Sequence, residues 1–196
     1  MRIPIIILLL ASLFVASCGK SPMLPSDEEM IRHFATHEAA FCKMYEIMAE
    51  SSEGSFHYPP VSPDGIIILD STEQSDTSYE SNDEQDIPVY GLLKPDQILL
   101  DSLLAEIGCG FVFVDRREWG TADSVYVSLV IPYYFNDIVD AGTSKSFVYD
   151  PGLRSYREIR ITEHGDLNEI YRRTHNDTTL YKPIKEDWYI KLDHSR

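Results

Sequence analysis

The chain has 196 residues, of which 43% are apolar, with 12 Tyr, two Trp and a formal net charge of −15. That composition excludes a disordered polypeptide, and one domain of this length can bury about 70% of its unfolded surface without a metal or disulfide staple. Residues 26–144 carry 23 Asp/Glu against five Lys/Arg, a net of −18, whereas 145–191 carry eight against nine; such a field repels phosphate backbones and anionic lipid, which excludes nucleic acid as a direct partner.

Arg2 precedes an apolar run from Ile3 to Val15, broken only by Pro4 and Ser12. As a helix this run would reach roughly 20 Å, short of the roughly 30 Å hydrocarbon core, so it fits a cleaved export signal rather than a membrane span. The tetrapeptide Val15-Ala16-Ser17-Cys18 resembles the lipobox of bacterial lipoproteins. The resemblance implies cleavage after Ser17 and a thioether-linked lipid on Cys18, with palmitate among its acyl chains. An Asp after the modified Cys retains such proteins in the inner membrane; Gly19 stands there instead, which implies an outer-membrane anchor facing the periplasm. The alternative is ordinary signal peptidase cleavage, which leaves Cys18 a plain N-terminal thiol.

The division expected is therefore a signal over 1–17, a lipid-anchored tether over 18–25, and a single α+β domain over 26–196. Ser26 begins a capping box, "SDEE", in which its hydroxyl accepts from the amide of Glu29. Asp27, Glu28 and Glu29 suit the positive end of the helix dipole. Ile31, Phe34, Phe41, Met44 or Tyr45, and Met48, with Ala35 and Ala39, then predict an amphipathic helix over about 27–50. "GIIILD" at 65–70 reads as a buried strand. Residues 71–86 hold six acids, no base and one aromatic, and read as a solvated acidic loop. The loop lacks the Gly and ligand order of an EF-hand, so no calcium is expected.

Pro95 starts a second helix with a wide apolar face of Ile98, Leu99, Leu100, Leu103, Leu104 and Ile107, and Gly108 suits its C′ position. Strands are predicted at 110–115, 123–131, 145–150, 155–162 and 187–193. In the last, Trp188, Ile190 and Leu192 share one face, with Tyr189 half-buried on the other. Helices followed by short strands with hairpin-length links argue for two amphipathic helices packed on a mainly antiparallel sheet formed by the C-terminal half.

Candidate chemistry is sparse. His33 and His37 lie one helical turn apart, a spacing that can bind zinc, but the Glu that zincins place after the first His is replaced by Phe34. A solvated or interface role for this pair is the simpler reading, and no metal or cofactor is expected. Cys42 and Cys109 are a candidate disulfide in an oxidising compartment, against two separately buried thiols as the more ordinary outcome. "RRTHNDTT" at 172–179 gathers Arg172, Arg173, His175, Asn176 and Asp177 as a small anion site or a plain polar turn. No nucleophile motif and no phosphate-binding Gly loop is present.

Together the lipobox, the short linker, "PSDEEMIRHFATHEAAF" at 25–41, "KSFVY" at 145–149 and "WYI" at 188–190 resemble small bacterial lipoproteins of uncharacterised function. The resemblance assigns no residue a role except Cys18. The expectation is a membrane-anchored lipoprotein acting through protein contacts at the cell envelope. The alternatives are an acidic inhibitor or immunity-type protein that binds a cationic partner, or an envelope hydrolase using His33, His37 or His175 with carboxylates.

Overall fold

The computed structural model describes residues 23–51, 54–60, 92–118, 125–138, 141–174 and 176–195. Ser26 caps the first helix as the sequence predicts, accepting from the Glu29 amide at 3.1 Å, and α1 runs Asp27–Glu50. Its backbone kinks at His37. Met30, Phe34, Phe41, Met44 and Met48 form the buried stripe, recurring every three to four residues with one wider step across His37. Ala35 and Ala39, expected beside that stripe, face solvent; Ala40 is buried instead.

Strand β1 (Phe56–Tyr58) follows, then α2 (Lys94–Glu106), which carries Pro95 in its first turn and is followed by Gly108 at φ +66°, a backbone state that glycine adopts without strain. The α2 face is narrower than the sequence suggests. Gln97, Leu100, Leu103, Leu104 and Ile107 are buried, whereas Ile98 and Leu99 are exposed, because α2 meets the other described residues along a single stripe.

Five longer strands and a short helix follow among the described residues: β2 (Val112–Glu118), β3 (Val125–Ile138), β4 (Ala141–Tyr149), α3 (Leu167–Arg173), β5 (Thr178–Lys185) and β6 (Trp188–Ser195). All pairings between these strands are antiparallel, in the order β1-β2-β3-β4-β6-β5. The α+β class holds, with a third helix and with β1 drawn from before the C-terminal half. β3 runs past its expected end because Pro132 falls at a register shift, where the ladder needs no amide from it. β5, likewise interrupted by Pro183, is the edge strand on that side of the sheet.

The segment 155–162 is not a strand. After a 3-10 turn (Leu153–Ser155) it crosses the sheet and makes one parallel bridge, Ile161 to Tyr181. Ile159 and Ile161 are nonetheless partly buried. They pack with Val130 and Tyr181 around buried Val148, Leu153 and Tyr189, forming a second small core on the outer face. Tyr189 is therefore fully buried rather than half-buried.

The main core lies on the inner face, beneath α1 and α2. Phe34 packs tilted and Phe41 edge-on against Trp188, with ring centroids 5.2 and 5.5 Å apart, and Phe41 lies 4.8 Å from Phe147. The strand expected at 65–70 and the acidic loop at 71–86 lie outside the described residues.

Candidate functional site

α1 is held at both ends by charge. At its C-terminus no basic residue occupies the last turn. Arg116 from β2 supplies the cation, donating to the carbonyl of Met48 at 3.2 Å, to the carbonyl of Ser51 and to the Ser51 hydroxyl at 2.9 Å. The Met48 carbonyl also accepts from the amide and hydroxyl of the C-cap Ser51, and the guanidinium opposes the negative end of the dipole.

At the N-terminus two helices cap each other. The Asp27 amide donates to Asp166 Oδ2 at 3.0 Å, and Asp27 Oδ2 accepts from the Leu167 amide at 2.8 Å. Asp166 is also the N-cap of α3, accepting from the Asn168 amide at 2.8 Å. Two lysines neutralise the two carboxylates: Lys145 Nζ lies 2.6 Å from Asp27 Oδ1 and Lys182 Nζ lies 3.1 Å from Asp27 Oδ2. Lys145 is fully buried, and it also donates to the Pro25 carbonyl at 2.8 Å, which Asn168 Nδ2 reaches at 3.0 Å. Burial pushes the Lys145 ammonium below the usual lysine range, against the pull of Asp27. Burial alone would raise Asp166, but the amides of Asp27 and Asn168 and the two ammonium groups hold its carboxyl below the usual range.

No local sequence pattern reveals this clasp beyond the place of Asp27 at the positive end of the helix dipole. One signal was present. Lys145 alternates in phase with Phe147 and Tyr149 on β4, which puts a lysine on an apolar face where it needs a counter-ion. The partners come from segments more than 110 residues away, with Asp27 and Lys145 separated by 118 positions. Chemically the clasp is sealed: Asp27 and Lys145 are too buried to meet a substrate, so it holds two helix starts and the end of the tether together.

His33 and His37 are brought together, with ring centroids 4.7 Å apart, at the C-terminus of α2. His33 Nε2 bonds the Ile107 carbonyl at 2.9 Å, and His37 Nδ1 lies 3.5 Å from Glu106 Oε1. Tyr133 and Phe147 stand beside His33 at 4.9 and 5.9 Å. Burial is the main reason that His33 is held below the usual histidine range. The pair thus satisfies and docks the end of α2, the interface role expected from its position. Among the described residues, no group of three or more His, Cys, Asp or Glu could hold a metal ion.

Cys42 and Cys109 are both free thiols, Cys42 exposed on α1 and Cys109 buried behind α2. Burial raises the Cys109 thiol to about 12, so it is inert in the folded chain. Arg172 and Arg173 fall in the last turn of α3, where they suit its dipole. His175 and Cys18 lie outside the described residues. Among those described, no helix is long and apolar enough to cross a membrane.

These features define an α+β domain built around one long helix clamped at both ends on an antiparallel sheet. The chain belongs to the family DUF4948, a domain of unknown function, which it matches over residues 23–196. Neither the comparison with curated proteins nor that with solved structures finds a match.

Proposed function

We propose that this member of the family is a lipid-anchored lipoprotein of the bacterial envelope, held by Cys18 and acting through contacts with another protein. The observation that carries the reading is where the fold takes hold of the chain. Leu24 packs against the core, and the Pro25 carbonyl is gripped by Lys145 and Asn168. Five residues lie between Cys18 and Leu24, so the six steps make a tether of at most about 20 Å at about 3.5 Å per residue. An anchored domain on so short a leash works close to its membrane, within reach of envelope proteins.

The contact surface we assign is the outside of α2. Leu93 and Ile98 are 64% and 58% exposed there, in a helix that also carries Asp96, Asp101 and Glu106. Apolar side chains ringed by carboxylates suit a partner that presents apolar groups within a basic rim. Fractionation of cells tests the anchor. Wild-type chain is expected with the outer membrane and Cys18→Ser in the soluble fraction; equal partition of the two removes the anchor from the account.

A further inference from the structure

We infer that the α2 surface is covered by a second copy of this chain, which presents its segment 153–162, so that copies associate head to tail. The inference rests on the α2 contact surface assigned above and names its partner. That surface calls for apolar groups within a basic rim, and the chain carries such a region itself. Segment 153–162 holds Arg154, Arg157 and Arg160 against the one acid Glu158, a net of +2 in a protein of formal charge −15. All three arginines are exposed. Tyr156 among them is 39% exposed and Ile159 is partly buried. A hollow of about 520 Å³ has Ser155, Tyr156, Arg157, Glu158 and Ile159 in its wall.

The two surfaces complement each other in sign and in relief. Helix α2 holds Asp96, Asp101 and Glu106 against Lys94, a net of −2. Leu93, Ile98 and Leu99 project along it as a ridge of exposed aliphatic side chains. A ridge of this kind matches a hollow walled by Tyr156 and Ile159, while the carboxylates around it meet arginines. Arginine suits such a rim because its guanidinium pairs with a carboxylate through two parallel hydrogen bonds and its stem covers apolar surface. Arg154 already lies 3.8 Å from Glu163, an exposed pair of little worth that a second copy can replace.

Topology keeps the two surfaces of one chain apart. Helix α2 packs on the inner core, whereas Ile159 packs on the outer one, around Val148, Leu153 and Tyr189. The sheet stands between them, so α2 of one copy reaches segment 153–162 of another copy only. Each chain therefore offers both halves of the contact, and such a contact builds a row of copies or a ring.

Sedimentation of the full chain in its Cys18→Ser form tests this free of any lipid-driven clustering, with reductant present because Cys42 is exposed. The average mass is expected to rise past that of a dimer between about 10 μM and about 1 mM, the range for a small interface. Ile98→Arg, which sets a cation against the arginines, and Arg157→Glu, which sets an acid against α2, are each expected to weaken association at least tenfold. An equimolar mixture of the two variants is expected to form dimers and nothing larger. The intact segment 153–162 of the first variant still takes the intact α2 of the second, and the two altered halves are left over. A wild-type chain that stays monomeric overturns the second copy as partner, as does a mixture that stays monomeric. Association lost in Ile98→Arg but kept in Arg157→Glu overturns segment 153–162 while α2 remains a contact surface. Association unchanged in both variants removes the α2 surface as well.

Discussion

Asp27 and Asp166 cap each other's helices: the amide of Asp27 donates to the Asp166 carboxylate, while the carboxylate of Asp27 accepts from the amide that follows Asp166. Two like charges in this arrangement would repel in a poorly hydrated site, and Lys145 and Lys182 make the group of four neutral. The start of α1, the start of α3 and strands β4 and β5 are thereby fastened at one point.

Removing one charge should show how much depends on that point. Asp27→Asn leaves the Lys145 ammonium buried beside a neutral amide, and a loss of about 3–5 kcal/mol is expected. Adding Lys145→Met to Asp27→Asn should recover part of that loss, because the uncompensated charge goes with it. Urea unfolding of the two single variants and the double variant measures the coupling. Simple additivity would show that the pair is not coupled.

Arg116 is the equivalent at the other end of α1. Arg116→Met should cost about 2 kcal/mol, the scale of hydrogen bonds to a charged donor, and should speed amide exchange in the last turn of α1 more than in its middle. Exchange that rises evenly along the helix would contradict a capping role.

The long-range charges were the part least legible in the sequence, whereas α1 itself was plain. Its capping box and its three-to-four-residue apolar spacing lie within one stretch of chain, and both are local properties. The alternation of Trp188, Ile190 and Leu192 revealed β6 for the same reason. What it hid was that Tyr189 is covered too, since the roof over it comes from residues 153–161. Helix α3 has seven residues and few apolar side chains, too short for periodicity to register, and Pro183 disguised β5. The clasp depends on residues that meet only in the fold; His33 and His37 were visible as a pair, but not their docking partner at the end of α2.

Acid should loosen that docking. His33 titrates below its ordinary 6.5, chiefly through burial and further through His37, with the Ile107 carbonyl and Glu29 pulling the other way. The unfolded chain therefore binds the proton first. Stability from this group is complete above about 6.5 and is lost as the pH falls through the folded value. Asp166, held below 3.8, adds a second loss at more acidic pH. The urea midpoint should fall between pH 7.5 and 5.5 in the wild type, and fall less in His33→Gln. Equal slopes in the two proteins would remove His33 from the acid response.

Gly152 packs against an aromatic ring. A Cβ at that position would stand 2.3 Å from the Tyr126 hydroxyl, which itself bonds the Tyr156 hydroxyl at 2.7 Å. Gly152→Ala should destabilise by about 1–3 kcal/mol through overpacking, and Tyr126→Leu in the same chain should relieve much of it. Thermal unfolding of the single and double variants checks the rescue.

The thiols give a simple count. Cys42 should be alkylated in the native chain, more slowly than a free cysteine because burial and Glu38 raise its pKa. Cys109 should react only after unfolding. Peptide mapping after timed alkylation distinguishes this from a bonded pair, in which neither would react without reductant.

The central claim is that the domain hangs from a lipid on Cys18, and intact-mass and peptide mass spectrometry of the protein purified from membranes tests it most directly. The account predicts a chain that begins at Cys18 and carries thioether-linked diacylglycerol with acyl chains, and a Cys18→Ser variant without that mass. A wild-type chain with an unmodified Cys18, or one that starts elsewhere, would contradict it.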